Sequence, residues 1–151
     1  MKNFKAKPPT VDKKPGKLGG PVTNYMATKL ITFTLDTPIL DAIDTLVEKR
    51  ISGAPVLNAK REIVGMIDDK DCLRILIDRS YHSQPVRAYT VEQYMDKIMR
   101  TIPHDADILD VASIFLETTY KRLLVVDDGG KLIGQISRSE VLRAAKELGW
   151  V

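Results

Sequence analysis

The chain has 151 residues, 44% of them apolar and 28% charged, with a formal charge of +3. That is enough apolar material for one domain, or two small fused ones, with a real core, and the mild charge falls short of a dedicated nucleic-acid binder. No apolar run approaches the roughly 18 residues of a membrane span, the basic start lacks a signal-peptide core, and the single Cys72 has no intramolecular disulfide partner. The expectation is a cytoplasmic protein with an inert thiol on the apolar side of a helix.

Residues 1–21 hold six lysines against one aspartate, among prolines and glycines. This composition predicts a flexible tail, with a docking arm for an acidic partner or nucleic acid as the alternative. Val22-Thr-Asn-Tyr-Met26 then opens a segment that returns as Val91-Glu-Gln-Tyr-Met95, 69 residues later. The offset holds without a gap from Val22 to Leu76, through Asp36 and Asp105, Ile39-Leu40-Asp41 and Ile108-Leu109-Asp110, Val56 and Val125, Gly65 and Gly134. About a quarter of the paired positions are identical, which marks a duplication.

In the first copy a short strand near Ile31 to Phe33 leads to Thr37-Pro38, which starts a helix because proline is tolerated in a first turn. Ile39, Leu40, Ile43, Leu46 and Val47 carry its helical spacing. Two β-rich runs follow, Ala54 to Leu57 and Ile63 to Ile67, and a second amphipathic helix runs through Cys72, Leu73 and Leu76. A linker over residues 80–90 continues from an extension of that helix. The second copy repeats the pattern with a strand near Thr101-Ile102, a helix through Ile108, Leu109, Ala112, Phe115 and Leu116, strands Leu123 to Val126 and Leu132 to Ile136, and a helix through Val141, Leu142 and Ala145. "DDGG", Asp127 to Gly130, supplies the turn residues of a hairpin. Neither unit buries both its helices and its sheet alone, so the two are expected to pack together.

The order of "V-x-x-Y-M", a threonine-bearing strand, "D-x-x-I-L-D", two strands and "G-x-I-x-x-x-[DE]", given twice over residues 22–148, resembles the CBS motif named for cystathionine beta-synthase. The resemblance implies an α+β fold in which two tandem β-α-β-β-α repeats pack by pseudo-two-fold symmetry into one Bateman module. The boundaries are then 1–21 tail, 22–79 first repeat, 80–90 linker, 91–148 second repeat and 149–151 C-terminal end. It also implies two clefts that bind adenine nucleotides or adenosyl compounds, a homodimer, and a regulatory rather than enzymatic role acting on a protein partner.

A strand running into a helix places first-turn N–H groups and the positive end of the helix dipole at the junction, where hydroxyls meet phosphate and a carboxylate accepts from ribose hydroxyls. In the second repeat, "GQISRSE" offers Ser137, Arg138, Ser139 and Glu140, with glutamate where the family usually has aspartate. Lys121-Arg122 precede the next-door strand, and "K-R-L-L-V-V-D" resembles the "H-R-L-P-V-V-D" of the AMP-activated kinase gamma subunit, where the basic pair meets phosphate. The resemblance therefore assigns this cleft the phosphates of AMP, ADP or ATP, or an S-adenosyl compound, with Thr101 and Ile102 bordering the adenine. In the first repeat, "GMIDDKD" keeps the aspartate as Asp71 but offers Asp68 and Asp69, offset by Lys70 alone, and Ser52-Gly53 stand where the basic pair would be. Thr32, Phe33 and Pro55 would wall this weaker site, which suits a neutral adenosine moiety or a bridging cation, or stays empty.

Against these readings, Ser137 or Asp68 alone would serve as helix caps, and Lys121 and Arg122 as solvated charges. The clefts would then be vestigial and the chain a ligand-free dimerisation or partner-docking scaffold. A nucleic-acid binder using the lysine tail is a third reading. His82 in the linker and His104 after the short strand have no Cys/His partner at metal spacing, no catalytic arrangement is legible, and no metal is expected. Tyr25, Met26, Tyr94, Met95 and Trp150 read as packing residues.

Overall fold

A computed structural model describes residues 19–81 and 89–150. The tail to residue 18, residues 82–88 with His82, and Val151 lie outside them. The two copies form two three-stranded sheets. In the first, β1 (Phe33–Thr34) lies parallel to β2 (Gly53–Leu57), which pairs antiparallel with β3 (Ile63–Asp68). In the second, β4 (Thr101–Pro103) lies parallel to β5 (Arg122–Val126), which pairs antiparallel with β6 (Leu132–Ser137). The duplication extends to the register: Gly53 faces Asp68 as Arg122 faces Ser137, and both ladders shift at the same point, Val56/Leu57 and Val125/Val126.

Helices α1 (Ile39–Lys49) and α4 (Ile108–Glu117) follow the first strands, and α2 (Asp69–Tyr81) and α5 (Arg138–Glu147) follow the hairpins. Pro38 stands at the N-cap of α1 in an extended conformation rather than inside its first turn. The apolar stripe of α1 is wider than its core face, because Ile39, Ala42 and Leu46 are buried while Val47 is exposed. The "DDGG" hairpin forms, with Gly130 at φ +79° and Asp127 Oδ1 accepting from the N–H groups of Gly129 and Lys131. Its counterpart in the first repeat carries no glycine. There Asn58 Oδ1 accepts from Lys60 and Glu62, and Arg61 takes the left-handed φ of +62°.

The lobes do not coincide with the sequence repeats. Val22, Tyr25 and Met26, in or just after a short 3-10 turn at Val22–Asn24, pack in the core of the second repeat with Ile108, Val111 and Ile136. Val91, Tyr94 and Met95, from or next to the single-turn helix α3 (Val91–Tyr94), pack in the core of the first with Ile39, Val56 and Ile67. The exchange is symmetric: Val22 N–H donates to Ala106 O at 2.8 Å and Val91 N–H to Thr37 O at 2.9 Å. Ala27 bridges Gln135 as Asp96 bridges Met66. Glycine is required at the crossings, since a Cβ on Gly65 would sit 2.8 Å from Asp96 O, and one on Gly134 would sit 2.3 Å from Met26 Sδ. Each "V-x-x-Y-M" thus completes the other lobe, which gives a physical reason for the two units to occur together.

Candidate functional site

Strand alternation decides which side chains reach the space between the lobes. In β3 Ile67 is buried in its lobe's core while Met66 and Asp68 lie on the opposite face; in β5 Leu123 and Val125 are core, and Arg122 and Leu124 lie opposite. Met66, Asp68, Arg122 and Leu124 meet around a cavity of about 730 Å³. Lys70, Asp71 and Arg74 from α2 close one side, and Asp96, Met99 and Arg100 from the exchanged segment before β4 close another. Five cations (Lys70, Arg74, Arg100, Lys121, Arg122) face four carboxylates (Asp68, Asp71, Asp96, Glu117).

Asp68 and Asp71 cap α2 reciprocally. Asp71 N–H donates to Asp68 Oδ1 at 2.8 Å, and Asp68 N–H to Asp71 Oδ2 at 3.1 Å. Burial pushes the Asp71 carboxyl up to about 6; the bond from the Asp68 backbone opposes that rise and the Asp68 charge adds to it. Burial likewise pushes the Cys72 thiol up to about 11, with Asp71, Asp68 and Asp69 adding to the rise, which disfavours the thiolate. The Arg122 guanidinium reaches across to the first repeat and donates to Gly53 O and Ser52 Oγ. Burial lowers its pKa, while Asp68 and Asp69 favour its charge.

This arrangement regroups the residues that the sequence pointed to. Lys121 and Arg122, expected beside Ser137, Arg138, Ser139 and Glu140, line the cavity of Asp68, Lys70 and Asp71, so the basic pair of the second repeat stands with the acidic junction of the first. The physical cause is the approach of the two sheets: Arg122 is a ladder neighbour of Ser137, but its long side chain projects toward the other lobe. Ser137, Ser139 and Glu140 bond to one another. Glu140 Oε1 accepts from Ser137 Oγ at 2.8 Å and Ser137 N at 3.2 Å, and the Ser137 and Ser139 hydroxyls are 3.0 Å apart. Together Ser137 and Glu140 form a capping box on α5, and Arg138 is exposed at its first turn.

Ile102 and Phe33, expected to border a base, are buried in the two cores instead, because on such short strands one side chain points in and its neighbour out. The outward neighbours line smaller spaces near the hairpin turns, Thr32 one of about 220 Å³ with Leu57 and Arg61, and Thr101 one of about 540 Å³ with Val126 and Lys131. Pro55 is fully buried on β2. Arg74, Asp96 and Arg100 escaped sequence reasoning. The 69-residue offset does mark the bridge pairing as shared, but nothing local to Asp96 or Arg100 says that their segment crosses to the other lobe. His104 Nε2 sits 2.9 Å from Asp128 Oδ1, which raises its pKa. Trp150 lies against Gly19, and its backbone N–H donates to Ala145 O. Among the described residues no cluster of His, Cys, Asp and Glu could hold a metal ion, and no helix is long and apolar enough to cross a membrane.

The CBS domain family profile matches residues 22–78 and 91–147. The chain belongs to the CBS domain family, as a tandem pair. It is 31% identical, over 74% of its length, to the CBS domain-containing protein CBSX1, chloroplastic, of Arabidopsis thaliana, and 30% identical over 89% to CBSX2, chloroplastic, of the same plant. It spans 57% and 67% of the lengths of these relatives. Among solved structures it resembles CBSX2 in complex with AMP, with a TM-score of 0.74, 31% identity and coverage of 85% of this chain and 98% of that one. It also resembles a CBSX2 structure from Arabidopsis thaliana, described as a CBS-pair protein, with a TM-score of 0.76, 29% identity and coverage of 89% and 99%.

Proposed function

We propose that the chain is a non-enzymatic, cytoplasmic regulatory module that binds an adenine nucleotide in the cavity shared by Asp71 and Arg122. The observation that carries this reading is the meeting, in about 730 Å³, of a buried carboxylate suited to a ribose diol with cations suited to phosphate. Asp71 accepts from the ribose hydroxyls, Met66, Met99 and Leu124 provide apolar contact for the base, and Lys121, Arg122 and Arg100 meet the phosphates. The AMP complex of a neighbour at 31% identity supports the ligand class. The equivalent cleft at Ser137, Ser139 and Glu140 has Ser52 and Gly53 where the first has its basic pair, so it holds an adenosine or S-adenosyl moiety more weakly.

Calorimetric titration with AMP, ADP, ATP and S-adenosylmethionine tests the reading. Heat with a stoichiometry near one for a phosphorylated ligand is expected, and no heat and no thermal shift at millimolar ligand would overturn it.

A second reading has its own observation. Val47 of α1, Leu73, Leu76 and Ile77 of α2, Leu116 of α4 and Leu142 of α5 are each more than half exposed. We assign these side chains to contact with a second copy of the chain, through which ligand occupancy reaches a protein partner as a change in subunit arrangement. Sedimentation of the full chain at micromolar concentration is expected to give a dimer, and a monomer would remove this part alone.

A further inference from the structure

We infer that Ser52, together with the Gly53 carbonyl, is a positioning group that pre-aims Arg122 at the phosphate of a bound nucleotide; this rests on the cavity being the nucleotide site. Arg122 comes from β5 of the second repeat, yet its two terminal nitrogens donate to Ser52 Oγ and Gly53 O of the first. A guanidinium carries five N–H groups in a planar fork. With one edge anchored on the far lobe, the other edge, which includes Nε, remains for a phosphate. A free arginine loses much rotamer freedom on gripping a ligand, whereas one already held by a carbonyl and a hydroxyl has lost it before the ligand arrives.

The duplication makes the arrangement one-sided. Ser52 and Gly53 are the counterparts of Lys121 and Arg122 under the 69-residue offset. A glycine has no side chain to reach back, so the second cleft cannot build the same anchor. Gly53 also suits the role because a Cβ there would sit 2.8 Å from Ile67 O and 3.1 Å from Asp68 Cα, so its carbonyl comes from a strand packed tightly on β3. The Ser52 carbonyl is tied down as well, accepting from Asp69 N–H at 2.8 Å. The hydroxyl is thus offered from a fixed backbone. Its removal takes one hydrogen bond from Arg122 and leaves the Ser52 backbone bond in place.

The test is calorimetric titration of the full-length chain and of its Ser52→Ala and Ser52→Thr variants with AMP and with adenosine. AMP affinity is expected to fall about fivefold in Ser52→Ala, as for loss of one ordinary hydrogen bond, with adenosine affinity unchanged. Ser52→Thr keeps the hydroxyl and is expected to restore AMP binding. Equal loss for AMP and adenosine would reduce Ser52 to a structural residue, and unchanged or tighter AMP binding would show that the contact is idle or competes with phosphate. Either result overturns the inference while leaving the nucleotide site standing. Absence of AMP binding by the unaltered chain removes the site itself, and the inference with it.

Discussion

The two strand-to-helix junctions differ less in how they cap their helices than in what the other repeat brings to them. Asp68 with Asp71 and Ser137 with Glu140 make the same reciprocal cap. Yet the first faces the cavity of Lys121 and Arg122, while the counterparts at the second are Ser52 and Gly53. The polar content of "GQISRSE" is spent on the protein itself, three side chains bonding one another. The plainer, acidic "GMIDDKD" receives its basic pair, Lys121 and Arg122, from about 50 residues farther along the chain. In a duplicated fold with exchanged edges, a site is therefore composed from both copies, and the charge of one copy's loop does not state the charge of its cleft.

Replacing one carboxylate at a time breaks the comparison most sharply. Asp71→Asn keeps an acceptor for the cap but loses the charge that holds a ribose diol, so AMP affinity is expected to fall by one to two orders of magnitude, in line with about 1.5–3 kcal/mol for a hydrogen bond to a charged group. Glu140→Gln is expected to change AMP affinity at the high-affinity site less than twofold. Calorimetry on both variants decides between them, and equal losses would mean that the clefts are equivalent after all.

The exchanged segments allow a test on stability. Gly65→Ala drives a Cβ to 2.8 Å from both the backbone oxygen of Asp96 and Met95 Sδ, whereas Gly134→Ala meets Met26 Sδ first, at 2.3 Å, and the backbone oxygen of Ala27 at 3.0 Å. The first is expected to cost about 1–3 kcal/mol in denaturant unfolding, and the second less, because its nearest contact is a thioether that can move and its paired carbonyl stands farther off. If the order reverses, the crossing at Asp96 is looser than the one at Ala27.

A smaller contrast separates the arginines. Arg122→Ala is expected to weaken AMP binding about tenfold while sparing adenosine, and Arg138→Ala, on the exposed first turn of α5, to change neither affinity by more than about twofold. Matching losses would return the phosphate to the second junction.

How much of this was legible in the sequence follows from how local each signal is. The 69-residue offset, the apolar periodicity of Ile39 and Ile108, and the turn chemistry of Asp127 and Gly130 are local or repeated, and they carried the elements and their order. Which face of β1 or β4 points inward was lost on strands of two or three residues, where Phe33 and Ile102 turn into the cores. The site was harder still. That Arg122 points away from its ladder neighbour Ser137, and that Asp96 and Arg100 join the cavity of the other repeat, depends on how two sheets meet, and no spacing within either copy encodes that.

The smallest expected effect comes from the titration of Asp71 at the first junction. Burial holds the Asp71 carboxyl at about 6, against an ordinary 3.8. An acid whose pKa rises on folding contributes stability that is fully present below its unfolded value and lost as pH rises through the folded one, because the folded state must then carry a poorly solvated charge. Asp71→Asn removes that titration. The melting temperature of the variant relative to the unaltered chain is therefore expected to climb between about pH 4 and pH 7 and to level off above. The same protonation bears on the ligand. A neutral Asp71 gives up the charged acceptor for the ribose, so AMP affinity is expected to decline below about pH 6 in the unaltered chain and to be independent of this step in Asp71→Asn. A melting difference that does not vary with pH would show that the cavity remains wet enough to solvate Asp71, and burial would no longer distinguish its carboxyl from an ordinary one.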